Sequence, residues 1–229
     1  LKARLVESVE IAPEVRHFTF AVDLLETLDF TPGQFVSFSR DVLGKSITRA
    51  YSIASAPSGN RFELCLNRVQ DGRLSPWLFE MKPDDTIEMS GPLGYFVPKA
   101  PLRDAVFVAT GTGVAPFRSF LRWPPVFAAS TSLALLFGTR SEEGILYRRE
   151  FEELTANRPG FRYLPTLTRP GTGWAGRAGR VQAHLDEALG GRNDIDVYVC
   201  GLKAMVDDVR TLLKSKGFDR KQIIVEKYD

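Results

Sequence analysis

The sequence predicts a two-domain chain: an all-β antiparallel barrel over residues 1–99, then an α/β domain over residues 100–229 built as a doubly wound, five-stranded parallel sheet. Three observations carry this. The first hundred residues hold short alternating runs separated by turn signals, the pattern of a small barrel. After Arg103 the chain alternates nearly continuous apolar runs with helical spacing, as expected of strands buried on both faces. Between them lies Val97-Pro98-Lys99-Ala100-Pro101, two prolines in a short polar joint.

In the first domain the predicted strands are Phe18-Thr19-Phe20, Gln34-Phe35-Val36-Ser37-Phe38, Arg49-Ala50-Tyr51-Ser52-Ile53, Arg61-Phe62-Glu63-Leu64-Cys65-Leu66 and Thr86-Ile87-Glu88-Met89. Turns are signalled by Pro32-Gly33, Pro57-Ser58-Gly59-Asn60, Pro83-Asp84-Asp85 and Gly91-Pro92-Leu93-Gly94. One helix interrupts them at Ser75-Pro76-Trp77-Leu78-Phe79-Glu80-Met81, with Ser75 placed as N-cap and proline at the first helical position.

In the second domain strands are predicted over 105–109, 133–137, 161–167, 196–200 and 222–225, and helices over 115–123, 147–155, 180–188 and 202–216. Ligands of such sheets bind beyond the carboxyl ends of the strands. Two features fall there: Thr110-Gly111-Thr112-Gly113, between a buried strand and a helix, and the pair Cys200-Gly201. Glycines at a strand-to-helix junction uncover backbone amides, and the start of the helix favours negative charge, so the junction suits a phosphate. An ordinary glycine-rich turn has the same pattern, and the flanking sequence has to decide.

Composition narrows the classes. The 229 residues carry a net charge of +2 with both signs interspersed, which gives no case for nucleic acid. Two cysteines, Cys65 and Cys200, are too few for a disulfide framework or a four-thiolate iron–sulfur cluster. The two histidines, His17 and His184, lack metal-ligand spacing, so no metal is expected. No apolar run approaches the roughly 20 residues that span a bilayer. Leu1-Lys2-Ala3-Arg4-Leu5 lacks the apolar core of a signal peptide, and a monomeric, cytoplasmic protein is expected. The missing initial methionine leaves room for an upstream segment.

Two stretches of the barrel bear chemistry. Strand alternation sends Arg49 and Tyr51 to one face, where a guanidinium can grip a diphosphate and a phenol ring offers a flat surface. Gly72-Arg73-Leu74-Ser75 is a second glycine-to-helix turn with amides to offer. An exposed Arg and Tyr on a barrel strand is common, so neither feature decides alone. Together with the junction at Gly111, they suggest two nucleotide-like ligands facing each other.

The order of these pieces resembles the ferredoxin–NADP reductase superfamily along nearly the whole chain. The resemblance is carried by Arg49-Ala50-Tyr51-Ser52, Leu64-Cys65-Leu66-Asn67-Arg68, Gly72-Arg73-Leu74-Ser75, and the run from Gly111-Thr112-Gly113 to Phe120. It continues through Leu146-Tyr147 with Glu150-Phe151, Val197-Tyr198-Val199-Cys200-Gly201-Leu202 and Val225-Glu226-Lys227-Tyr228. The resemblance implies a six-stranded barrel binding FAD and a second domain binding NADP(H), with NAD(H) less favoured. It implies that Arg49 binds the FAD diphosphate, that Tyr51 stacks on the isoalloxazine beside Ala50, and that Ser52 reaches flavin N5. Cys65, Leu66 and Asn67 would run beside the ribityl chain, strand packing being the fuller role of Cys65. Gly72, Arg73, Leu74 and Ser75 would face the diphosphate, and Thr112 and Gly113 the diphosphate of the dinucleotide. Cys200 and Gly201 would sit against the nicotinamide, although a buried small hydrophobe ending a strand reads the same way. The carboxyl end resembles the plant-type branch, which would put Tyr228 on the second face of the flavin and make Glu226 a proton-transfer carboxylate. Ser52, Cys200, Glu226 and Tyr228 are thus the expected catalytic set. The extra Asp229 departs from that branch, and the adenine-stacking tyrosine of plant enzymes has no counterpart here.

Thr168 and Arg169 match the serine–arginine pair by which the family reads a ribose 2′-phosphate, and Arg177 and Arg180 add charge beyond it. Three arginines with no acid nearby favour NADPH over NADH, since a bare 2′-hydroxyl is usually read by a carboxylate. The implied activity is hydride transfer at flavin N5 between NADP(H) and FAD, and one-electron exchange with a ferredoxin or flavodoxin. Arg68, Arg73, Lys82 and Arg122 offer a basic rim for such a carrier. Two alternatives remain open: an NAD(P)H-dependent flavin reductase component of a multicomponent oxygenase, and a flavin–dinucleotide sensor without turnover.

Overall fold

A computed structural model describes every residue except Leu43, Ala129 and Asp229, and for Phe127 the backbone alone. The first hundred residues form β1 (Lys2–Ala12), β2 (Val15–Ala21), β3 (Phe35–Val42), β4 (Lys45–Ser52), β5 (Arg61–Asn67), the helix α1 (Ser75–Glu80) and β6 (Thr86–Leu93). The six strands pair antiparallel in the order β4-β3-β6-β1-β2-β5. A bridge between Ile53 and Leu64 joins the two ends, with the Ala54 N–H donating to the Glu63 carbonyl at 2.7 Å, so the sheet closes on itself. Closure removes the exposed edges that an open sheet would present.

The interior of the barrel is aromatic. Phe20 meets Phe38 edge-on at 5.0 Å and stacks on Phe62 at 5.6 Å, all three fully buried. Each such phenyl contributes about 1.5–3 kcal/mol by leaving water. Helix α1 covers the core with Leu78 and Phe79. Ser75 is its first residue and not its cap. Leu74 holds the cap position without a side-chain bond, and the Ser75 hydroxyl instead accepts the Val69 N–H at 3.0 Å.

Strand β1 has no counterpart among the strands expected from sequence. Its register runs Leu5 opposite Phe20 and then Glu7 opposite Thr19, so Val6 is an extra residue. Such a bulge shifts the phase of inward and outward positions and erases the alternation that marks a strand.

The remaining chain forms β7 (Ala105–Thr110), α2 (Ala115–Arg122), α3 (Pro124–Phe127), β8 (Leu133–Thr139), α4 (Arg148–Asn157), β9 (Phe161–Leu167), β10 (Arg177–Ala178), α5 (Leu185–Leu189), β11 (Asp196–Leu202), α6 (Lys203–Ser215) and β12 (Ile223–Tyr228). The sheet is parallel throughout, in the order β10-β9-β8-β7-β11-β12. It has six strands, not five. The added one is the two-residue β10 in a stretch adjoining the helix expected from residue 180, which is instead a 3₁₀ turn (Val181–His184) leading into α5. The Gly179 carbonyl is tied to β9 by the Thr166 hydroxyl at 2.8 Å, which holds the edge in place. Strands β7, β8 and β11 are buried along almost their whole length, and α5 and α6 cover one face with Leu185, Val206, Val209 and Leu213.

Two compact units result: Leu1–Pro98 with Ala115–Val126, and Lys99–Val114 with Phe127–Asp229. Helix α2 therefore groups with the barrel, although in sequence it follows β7. Its buried Arg118 donates to the Ala54 carbonyl at 3.0 Å and to the Glu63 carboxylate at 2.5 Å, and Ser119 donates to the Ser55 carbonyl at 2.5 Å. In the other unit Lys99 pairs with the buried Asp196 at 2.7 Å, and its N–H donates to the Tyr198 hydroxyl. No helix among the described residues is long and apolar enough to cross a membrane.

Candidate functional site

In the barrel unit, Phe38 lies opposite Arg49 and Val36 opposite Tyr51, so strand β4 turns both site residues toward one face, as the alternation predicts. Tyr51 is half-buried, its ring 5.8 Å from Phe38. Burial pushes its hydroxyl up to about 12, against a smaller opposing effect of Arg49, so the ring is neutral at physiological pH. Arg49 is exposed and donates to the Thr48 carbonyl at 2.8 Å. Ala50 is exposed opposite Ser37, and Ser52 is buried opposite Phe35. Cys65 and Leu66 are buried on β5, opposite His17 and Arg16, while Asn67 is exposed.

The loop before α1 closes on itself, contrary to the expectation for Gly72. The Gly72 N–H already donates to the Val69 carbonyl at 2.8 Å, so it is not available to a ligand. A Cβ at Gly72 would come within 2.9 Å of Val69, which gives the glycine a packing reason. Leu74 and Ser75 are buried and Arg73 is exposed.

Behind β4 the segment following Ser52 is clamped by α2 through Arg118 and Ser119. Glu63 lies 3.6 Å from His17 as well as against Arg118. Burial above all, and then the Arg118 charge, brings His17 down to about 4, so it is neutral near pH 7. Burial opposes ionisation of Glu63, yet the Arg118 bond and charge keep its carboxyl below the usual range.

In the sheet unit, β7 ends at Thr110 and the chain turns through a 3₁₀ segment, Gly111–Val114. Gly113 lies on the end of β11, where a Cβ would come within 2.5 Å of the Cys200 carbonyl. Gly201, at φ +147°, lies against β7, where a Cβ would meet the Thr110 hydroxyl at 2.5 Å. Only glycine allows both approaches. The Thr110 hydroxyl is buried and makes no hydrogen bond among the described residues. An orphaned hydroxyl at the carboxyl end of a central strand fits a polar ligand. Sequence reasoning stopped short of Thr110, because whether a hydroxyl is partnered is not visible in a motif. Thr112 is half-exposed beside it.

Cys200, Glu226 and Tyr228 come together: β11 and β12 pair Cys200 with Glu226 and Leu202 with Tyr228, so the three side chains share one face. The Cys200 sulfur lies 4.0 Å from the Glu226 carboxylate. Burial first, and then Glu226, pushes the thiol well up, with a Tyr228 hydrogen bond acting the other way. Cys200 is therefore held as a protonated, neutral thiol. Ser52 belongs to the barrel unit, and Asp229 lies outside the described residues.

At the carboxyl ends of β8 and β9, Thr168 and Arg169 are exposed. The Thr168 N–H donates to the Thr139 carbonyl at 3.0 Å, and the Arg169 N–H to the Arg140 carbonyl at 2.7 Å. Arg140, also exposed, was not anticipated; its relevance comes only from this backbone pairing. Arg180 is exposed as well. Arg177 differs from expectation: its guanidinium holds both oxygens of Glu187, one at 2.7 Å, and that bond keeps Glu187 below the usual carboxylate range. An acid is thus near Arg177 after all. Among the described residues no group of three or more His, Cys, Asp or Glu side chains is arranged to hold a metal ion.

Comparisons with known proteins bear on both units. Residues 2–97 match the oxidoreductase FAD-binding domain family and residues 107–211 the oxidoreductase NAD-binding domain family. The chain is 41% identical to a protein of Sorangium cellulosum named ferredoxin–NADP reductase B, over 100% of this chain and 97% of that protein. It is 31% identical to a glycine betaine monooxygenase reductase subunit of Chromohalobacter salexigens, matching over 94% of this chain but only 61% of that protein. Among solved structures, a Neisseria gonorrhoeae ferredoxin–NADP reductase with bound FAD and NADP shares the fold at TM-score 0.88 and 24% identity, over 99% of this chain and 98% of that one. A cytochrome P450 reductase of Amycolatopsis superposes at TM-score 0.89 with 29% identity, over 99% of this chain and 69% of that one.

Proposed function

The chain belongs to the ferredoxin–NADP reductase superfamily of FAD-dependent oxidoreductases, and from that premise we propose that it draws electrons from NADPH and passes them singly to a ferredoxin- or flavodoxin-type carrier. The observation that carries the choice of NADPH is the pair of exposed guanidiniums, Arg140 and Arg169, on backbones hydrogen-bonded at the ends of β8 and β9. A dianionic 2′-phosphate suits two such forks, and Arg180 and Thr168 add donors. Arg177 is withdrawn from this set because Glu187 neutralises it.

Bound FAD supplies the conversion between a two-electron hydride donor and a one-electron carrier. In this reading Arg49 holds the FAD diphosphate, with Arg73 and Leu74 as the loop's contributors in place of Gly72. Tyr51 orients the isoalloxazine with its neutral ring, Ala50 leaves room beside it, and Ser52 presents a hydroxyl toward N5. Leu66 and Asn67 border the ribityl chain. Thr110, Thr112 and Gly113 receive the diphosphate of the dinucleotide, and Gly201 lets the nicotinamide end approach the backbone. Cys200, held neutral by its burial, offers that ring an uncharged contact. Glu226 keeps a carboxylate ready to hold or move a proton, and Tyr228 competes with the nicotinamide for its place.

Steady-state kinetics with both dinucleotides and a panel of carriers tests this. Arg169→Ala is expected to raise the NADPH KM by about 10- to 100-fold, the scale of a lost charge-assisted hydrogen bond, with NADH changed less than twofold. Equal losses for both dinucleotides would remove Arg169 from 2′-phosphate recognition. A second reading, the reductase part of an oxygenase system, draws on the 31% identity to the monooxygenase reductase subunit. Reduction of an oxygenase component, with none of ferredoxin or flavodoxin, would select it.

A further inference from the structure

We infer that Arg40 is a second guanidinium for the diphosphate of the bound flavin dinucleotide, acting beside Arg49. The inference rests on the reading that Arg49 takes that diphosphate. Arg40 stands opposite Ile47 and Phe38 opposite Arg49, so Arg40, Phe38, Arg49 and Tyr51 all project from one face of β3 and β4. Arg40 and Arg49 are diagonal neighbours on this face, with side chains starting about 7–8 Å apart, within mutual reach for arginines. Two like charges so placed repel weakly, and an anion shared between them turns that repulsion into joint attraction.

Neither guanidinium forms an ion pair among the described residues. Arg49 donates only to its neighbour's carbonyl, and the Asp41 carboxylate next to Arg40 is turned to the Gly44 N–H at 2.9 Å. Arg40 is half-buried and its position is set: its guanidinium lies over the Trp77 ring, 4.4 Å from the centroid, and Trp77 packs against the barrel core from α1. A guanidinium stacked on an indole has lost much of its rotamer freedom before any ligand arrives, which lowers the cost of gripping a phosphate. The motif that identifies the flavin site begins at Arg49, on the neighbouring strand, and gives no hint of Arg40; the strand register does.

The test uses the full chain, stripped of flavin and titrated with FAD and with riboflavin, which has no phosphate. Binding is read from quenching of flavin fluorescence. Arg40→Gln is expected to reduce the preference for FAD over riboflavin at least tenfold while leaving riboflavin affinity within twofold. Arg40→Lys, which keeps the charge but loses the indole-stacked fork, is expected to fall between the parent and the glutamine variant. An unchanged preference in Arg40→Gln, or equal loss of both flavins, overturns the role of Arg40. So does a lysine variant that falls as far as the glutamine one. If Arg49→Gln lowers the preference and Arg40→Gln does not, only Arg40 is excluded. A parent protein without preference for FAD over riboflavin would overturn the reading of Arg49 itself.

Discussion

Arg118→Met is expected to destabilise the protein by about 3–5 kcal/mol at pH 7, and by distinctly less near pH 4.5. Arg118 is almost entirely buried, with 6% of its side chain exposed, and donates to the Glu63 carboxylate at 2.5 Å and the Ala54 carbonyl at 3.0 Å. Charged hydrogen bonds of this kind are worth about 1.5–3 kcal/mol each. Removing one partner of a buried pair also strands the other charge, which brings the total to about 3–5 kcal/mol. Methionine keeps the apolar stem, so the loss is electrostatic and not a cavity. The pH dependence follows from the two titrating neighbours. In the parent protein His17 is brought from 6.5 to about 4, so stability falls as pH drops through that window. Glu63, held below the usual carboxylate range, loses its contribution at still lower pH. Without the Arg118 charge both groups take up protons more readily in the folded state, so the variant loses less on acidification than the parent. Urea unfolding with saturating FAD at pH 7.0 and 4.5 reads the difference. A penalty that is constant or grows toward acid would refute the electrostatic account. Adding Glu63→Gln to Arg118→Met is expected to recover more than 1 kcal/mol, the sign of direct coupling.

Two other outcomes follow from the dinucleotide unit. Arg177→Ala is expected to leave the NADPH KM within about twofold, because Glu187 already neutralises that guanidinium; a tenfold rise would restore Arg177 to the phosphate site. Gly201→Ala forces a Cβ within 2.5 Å of the Thr110 hydroxyl at a left-handed φ, and is expected to abolish NADP⁺ binding by calorimetry while FAD is retained. Normal NADP⁺ affinity in that variant would show that the β7 and β11 ends need not approach so closely.

What could be read from the residues depended on how local the determining interaction is. The turn at Gly111 and the shared face of Arg49 and Tyr51 follow from strand periodicity and short spacings, which a sequence displays directly. Cys200, Glu226 and Tyr228 are grouped in the sequence only through the family resemblance; the pairing of β11 with β12 is what brings them onto one face. Features set by distant partners were hidden. Strand β1 lost its alternation at the Val6 bulge, and β10 is only two residues long, anchored by Thr166. Arg140 acquires meaning from a backbone bond to Arg169, and Arg177 loses it to Glu187 ten residues on. The Ser75 cap and the Gly72 amide were misjudged for one reason: both groups bond back to Val69 and close the loop on itself.

Helix α2 has a consequence for how such a protein can be taken apart or recombined. Because Arg118 and Ser119 satisfy Glu63 and the carbonyls of Ala54 and Ser55, a fragment ending at Pro98 leaves a carboxylate and two peptide oxygens without their donors. Chimeras that exchange one half with a relative must carry residues 115–126 along with the barrel, a discontinuous graft.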